Sequence, residues 1–287
     1  MATIIKPNYT PLEGGYLRYV GHLGDDLAPL EAARMSTGNP TGVDESKDAG
    51  LRRRLWRKNH STPFEMAVLQ VEVQMPLFVA IEWLRHRTFS FNFYSHRYSE
   101  ALDLYYKPTP ERLAEGGQST TNKQGAGEPI PLELVATVAE SIGWEQSEHQ
   151  KAYQSRLEGG LARELARINM PVSNFTRGRV QANLRNWFHF LKLRMDPAAQ
   201  YEIRVYAEAA ADMIRHIWPE TFAVFEEYTL HGRNISRTER RIIERLIRQL
   251  GKVWDDHPAV LVKSEAIGEL GETETRELLE KLYLTEA

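Results

Sequence analysis

No cysteine occurs among the 287 residues. That excludes disulfides, thiolate-ligated zinc, iron–sulfur clusters and a cysteine nucleophile. No apolar run approaches the ~20 residues of a membrane span. Residues 1–7 lack the apolar core of a secretory leader, so the expected compartment is the cytoplasm. Neither sign of charge dominates. The 36 Lys and Arg against 39 Asp and Glu give a net charge of −3, unlike a generally cationic nucleic-acid binder. A Gly-rich dinucleotide fingerprint, a phosphate loop and a nucleophile elbow are all missing. The nine histidines do not fall at metal-ligand spacing, so no metal site is expected. Covalent activation of a substrate would therefore depend on another residue type or on a cofactor.

What is present is ordinary for a globular enzyme, with 42% hydrophobic and 26% charged residues. Residues 16–22 read as a short strand, and Asp25 or Asp26 can cap a helix running toward Ser36. A basic helix is expected over 46–58. From Ala67 to Met75 apolar residues hold the odd positions, and Gln70, Glu72 and Gln74 the even ones, which is a strand with one buried face. Pro76 then opens a helix expected to run from Leu77 to Arg87. Another strand is expected over 102–106. Residues 114–129, rich in glycine and polar residues, read as a surface loop. Helices follow over 132–158, 162–167, 183–193 and 198–217. Ser236-Arg-Thr-Glu239 is a capping box that opens a tail helix, and a last helix is expected over 274–284. The pattern is α+β: a main domain, 1–232, and a helical C-terminal extension, 233–287.

Chemistry concentrates between Arg85 and Tyr98. Arg85, His86, Arg87, His96 and Arg97 are interleaved there with Phe89, Phe91, Phe93 and Tyr94. Arginines offer bidentate donors to phosphate and aromatics offer flat surfaces to rings. A phosphorylated heterocycle suits such a set. A solvated basic turn over core aromatics is the plain alternative. Glu82 and Arg85, three apart, are expected on one helix face. Later come Arg163 and Arg167, four apart, and the run Asn183-Leu-Arg185-Asn186-Trp-Phe-His189, which ends at Arg194. By itself His189 reads as a half-buried histidine, and Arg194 as a complement to a helix dipole. His60-Ser-Thr62-Pro-Phe-Glu65 lies in a loop, where side chains are commonly presented.

Together these segments resemble the flavin-dependent thymidylate synthases. The resemblance rests on Arg85-His86-Arg87, seven residues and Ser95, then Arg97-Tyr98-Ser99. It is joined by His60-x-Thr62-Pro-Phe-Glu65, Ala32-Ala-Arg34-Met-Ser36, Arg167, Asn183 and Leu193-Arg194 in order. It covers about residues 16–228. A chain without cysteine suits this family, in which no enzyme side chain attacks the pyrimidine covalently and the hard chemistry belongs to the cofactor.

The resemblance implies conversion of dUMP to dTMP, with 5,10-methylenetetrahydrofolate as one-carbon donor and NADPH reducing FAD. It implies Arg85, His86 and Arg87 at FAD, with Thr62, Asn183, Arg185 and His189 lining the flavin site. It places Glu82, Arg85, Ser95, His96, Arg97 and Arg167 on dUMP, and Arg194 against the pyrimidine. There a fixed guanidinium would stabilise developing negative charge. It further implies a central, mostly antiparallel sheet with long helices, and a homotetramer with active sites at subunit interfaces. No membrane or nucleic-acid partner is expected. Phe93 stands where many members carry Glu, and His189 where some carry Asn. The tail after Gly232 lies outside the resemblance. Two rivals remain at this point. One is a single-stranded nucleic-acid binder using residues 85–98 and the basic tail, and the other is a catalytically retired flavoprotein.

Overall fold

The computed structural model describes residues 8–39, 41–42, 44–120, 127–253, 266, 270 and 274–279. The chain divides into two compact units, Met1–His231 and Gly232–Ala287. In the first unit the order is β1 (Asn8–Tyr9), β2 (Tyr16–Leu23), α1 (Ala28–Arg34), α2 (Glu45–Arg57), β3 (Val68–Pro76), α3 (Leu77–Trp83) and β4 (Ser90–Phe93). Then follow α4 (Pro110–Ala114), α5 (Leu132–Glu158), α6 (Arg163–Ala166), β5 (Phe175–Asn183), α7 (Leu184–Arg194), α8 (Tyr201–Ile217) and α9 (Pro219–Phe225). In the second unit α10 (Arg237–Val253) begins at the expected capping box, where Glu239 accepts from the Ser236 N–H at 2.7 Å and Ser236 Oγ accepts from the Glu239 N–H at 3.2 Å. Ile243 and Ile247 pack there with Leu278 and Leu279. Of the last expected helix, 274–279 is helical and 280–284 lies outside the described residues.

The sheet has five strands in the order β1-β2-β3-β5-β4, all paired antiparallel. The alternation in β3 is realised: Leu69, Val71, Val73 and Met75 are fully buried. Opposite them on β5 stand Ala182, Val180, Gly178 and Thr176. The other face is polar. There Glu72 accepts from Tyr16 Oη at 2.9 Å and pairs with Arg18 and Arg179. One wet and one dry face is the usual state of an antiparallel sheet. Buried side chains of α3, α7 and α8 join the dry face in one core. The amphipathic α8 contributes Ile203, Tyr206, Ala207, Ala210 and Ile214 at helical spacing.

Several expectations need correction. Helix α3 stops at Trp83, not Arg87, because burial of His86 and Phe89 folds the next residues into turns. Arg85 therefore lies past the helix end and shares no helix face with Glu82. Residues 102–106 make only one bridge, Tyr105 to Asn174, while Asn174 Nδ2 donates to the Leu102 and Leu104 carbonyls. Helix α8 starts at Tyr201 rather than 198, after a turn in which Asp196 accepts from the Ala198 N–H. Neither Asp25 nor Asp26 caps α1. Asp25 closes a turn on the Leu27 N–H, and Asp26 reaches across the chain to the start of α9. There it accepts from the Glu220 N–H at 2.7 Å, the Thr221 N–H at 2.9 Å and the Thr221 hydroxyl.

Thr221 is fully buried, so Asp26 satisfies donors that water cannot reach. Replacing Asp26 with Ala should cost about 1–2 kcal/mol, the scale of a lost helix cap. Thermal unfolding checks this, and an unchanged midpoint would remove the cap from the fold's support.

Candidate active site

Arg194, the last residue of α7, organises the site. Its Nε donates to His86 Nε2 at 3.0 Å, Nη1 to Glu82 Oε2 at 3.0 Å, and Nη2 to the Glu82 carbonyl at 3.0 Å. These partners lie 108–112 residues away along the chain. Stacking brings the elements together. Trp83 lies on Phe190 with ring centroids 4.6 Å apart and planes 15° apart, and both are fully buried. Trp187 meets Trp83 edge-on at 6.0 Å, and Phe89 meets Trp187 edge-on at 4.9 Å. Such pairs contribute about 0.5–1.5 kcal/mol each beyond area burial. The end of α3 is thereby fixed to α7, and Glu82 and His86 with it.

Since Arg194 Nε can only donate, His86 Nε2 accepts and the ring proton sits on Nδ1. Burial, then the nearby charges of Arg194 and His189, holds the His86 pKa down to about 4. Burial pushes the Glu82 carboxyl above its ordinary value; Arg194 opposes this and Glu202 adds to it. The His86 ring contacts that of His189, 6.0 Å away between centroids.

His189 lines a cavity of about 310 Å³. Trp56, Phe64, Phe188 and Phe225 give it apolar walls, and Arg185, His189 and Lys192 give it cationic or donor groups. Flat apolar walls with a few donors are the chemistry of a site for a ring system. The cavity lies at the lower end of the roughly 300–1,000 Å³ common for ligand pockets. Arg185 is also paired with Glu65. Thr62 is exposed in the turn Thr62–Glu65 beside this wall. The Asn183 side-chain oxygen is spent on capping α7, accepting from the Asn186 N–H at 3.0 Å. Arg85 and Arg87 are exposed. A larger cavity, about 550 Å³ beside α5, includes none of the expected site residues, so size alone does not mark the site.

The remaining expected residues form a second group. Ser95 Oγ accepts from the Arg97 N–H at 3.3 Å, and Arg97 pairs with Glu164 at 2.8 Å. Arg163 lies 3.5 Å from Glu100. His96 is 6% exposed, its Nε2 has no partner, and burial with Arg167 beside it lowers its pKa. No hydrogen bond or ion pair among the described residues joins this group to Arg194. Phe93 stacks on Phe91 at 5.6 Å and covers Gly178, where an added Cβ would come within 2.5 Å of its ring. An apolar contact therefore occupies the position where many members of the resembled family carry Glu. The cavity walls Trp56 and Phe225 escaped sequence reasoning, because no local pattern links two aromatics so far apart.

Residues 19–220 match the family model described as thymidylate synthase complementing protein. The flavin-dependent thymidylate synthase of Wolbachia pipientis is 41% identical over 245 residues, 85% of each chain. That of Gluconobacter oxydans is 40% identical over 268 residues, 92% of this chain and 87% of its own. Among solved structures, the UMP/dUMP methylase PolB of Streptomyces cacaoi bound with 5-Br dUMP gives a TM-score of 0.69 at 30% identity, covering 75% of this chain and 96% of PolB. With 5-Br UMP bound the TM-score is 0.68. The chain belongs to the flavin-dependent thymidylate synthase family.

The His86 geometry makes a testable statement about acid. Between its unfolded value of 6.5 and about 4, the unfolded chain takes up a proton that the folded site refuses. The stability contributed by the neutral ring is thus complete above 6.5 and lost as pH falls toward 4. His86→Gln keeps an acceptor for Arg194 and does not titrate. Its melting temperature should fall less than that of the parent between about pH 7 and pH 5. An equal fall would place the titration elsewhere.

Proposed function

We propose that this protein converts dUMP to dTMP by reductive methylation, with FAD bound, 5,10-methylenetetrahydrofolate as one-carbon donor and NADPH as reductant. Residues 1–232 are the catalytic domain, 233–287 are a helical extension, and the protein works in the cytoplasm. The observation that carries this reading is Arg194, held by Glu82 and His86 one ring contact away from an aromatic-walled cavity. Family membership and the uridylates named with PolB support the substrate class. No helix among the described residues is long and apolar enough to cross a membrane.

When bound, FAD supplies the reducing equivalents that turn the transferred one-carbon unit into a methyl group. The chain's own residues bind and orient. Thr62, Asn183, Arg185 and His189, with Arg85, His86 and Arg87, hold the cofactor. Ser95, Arg97 and Arg167 hold the dUMP phosphate and sugar, with exchange of the Glu164 partner of Arg97 for phosphate. His96, buried at the same turn with its Nε2 unpartnered among the described residues, belongs with them on dUMP, and Arg85 reaches the nucleotide as well. Arg194 lies against the pyrimidine, where its fixed charge stabilises the ring as it becomes nucleophilic.

The protein assembles as a homotetramer with active sites shared between subunits. Leu165 and Ile168, 50% and 70% exposed, flank Arg167, and Ile81 and Leu84, 55% and 44% exposed, flank Glu82 and Trp83. Apolar surface beside site residues is what a subunit contact would cover.

Purified protein should show flavin absorbance that bleaches with NADPH under anaerobic conditions, and should form dTMP from dUMP and methylenetetrahydrofolate. A colourless protein that takes up no FAD sinks the reading. Arg194→Ala should lose dTMP formation and keep its flavin; near-normal turnover would remove Arg194 from the chemistry. Co-expressing Arg194→Ala and Ser95→Ala subunits should recover activity that neither homo-oligomer has. No recovery would place each site within one chain.

A further inference from the structure

We propose that Glu82 is a positioning residue for Arg194: with His86 it fixes the guanidinium before the nucleotide arrives. This rests on the reading that Arg194 meets the pyrimidine.

A guanidinium has five N–H bonds. Three are committed here, to an imidazole nitrogen, a carboxylate oxygen and a backbone carbonyl, each at 3.0 Å. One N–H remains on each Nη for a ligand. The three acceptors lie in different directions around one planar group, so together they set both its place and its plane. A surface ion pair would fix neither, since long side chains exchange partners freely.

Two of the three acceptors come from Glu82 alone. Because α3 ends one residue later, its carbonyl lacks the α-helical donor, the His86 N–H, which bonds Trp83 instead; it accepts from the Arg85 N–H at 3.3 Å and its second lone pair takes Arg194. Arg194 thus caps the C-terminus of α3 while ending α7, so one cation complements the negative ends of two helices. The arrangement is half-open. The Arg194 and Glu82 side chains are 20% and 25% exposed, enough for the guanidinium to meet a ligand while its partners stay behind it. The Glu82 carboxylate has its oxygen on Nη1 and has Glu202 of α8 on its electrostatic horizon.

The role depends on an acceptor at this position more than on its charge, and that gives the test. Glu82→Ala removes the Nη1 acceptor; Glu82→Gln keeps one. With flavin content and melting temperature checked in each variant, steady-state kinetics separate the possibilities. Glu82→Ala should lower kcat about tenfold to a hundredfold, a larger effect than on the KM for dUMP, since small misplacement of a catalytic group costs on that scale. Glu82→Gln should recover most of the lost kcat. Three outcomes overturn the proposal: parental kcat in Glu82→Ala; a raised KM at unchanged kcat, which marks direct substrate contact; or a Glu82→Gln variant no better than Glu82→Ala. Failure of the parent protein to form dTMP would instead overturn the functional reading on which the proposal stands.

Discussion

Everything in the site turns on where one guanidinium is held. In the proposed function Arg194 turns its charge toward a reacting ring, and a free arginine would sweep through many rotamers and lose that use. Ordering such a side chain costs up to about 2 kcal/mol in rotamer freedom. Here the cost is met before any ligand arrives, by three directed hydrogen bonds that Arg194 donates to the Glu82–His86 corner. Preorganised charge of this kind contributes to rate because nothing has to reorient during the reaction.

The fold supplies the corner. Strand β3 and strand β5 pair over their whole length, and each runs directly into a helix, β3 into α3 and β5 into α7. The two helices therefore leave the sheet from opposite ends of one strand pair. Trp83, Trp187 and Phe190 then lock them together. Side chains on such rigid elements are held more closely than side chains on loops. The second group, Ser95 to Arg97 with Arg167, sits on turns and short helices, and its Arg97 is held by an exchangeable ion pair with Glu164. One group is fixed and the other can yield to an anion, which suits a site that keeps a ring in place and admits a phosphate.

Much of this is visible in the linear sequence, and the exceptions have physical causes. The alternation of Leu69, Val71, Val73 and Met75 is a local signal, and it gives β3 without help. Strand β5 carries a weaker alternation, interrupted by Gly178 between Arg177 and Arg179; pairing with β3 on one side and β4 on the other makes it a strand. The end of α3 cannot be placed from propensity, since Leu84 and Arg85 are good helix formers and the stop comes from burying His86 and Phe89. Asp26 looks like the cap of the next helix and instead caps one almost two hundred residues away. The motif residues were legible through family resemblance. The contact between Arg194 and Glu82 was not, because no local pattern connects partners so distant in the chain.

The state of His86 tests the arrangement most directly, because the Arg194 clamp requires an acceptor at Nε2. Nitrogen NMR of the histidine-labelled protein, followed with pH, reads both the tautomer and the titration. A His86 ring protonated on Nδ1 alone at about pH 6, charging only near 4, is the predicted result. A proton on Nε2, or titration close to the ordinary 6.5, would mean that Arg194 is not held as described.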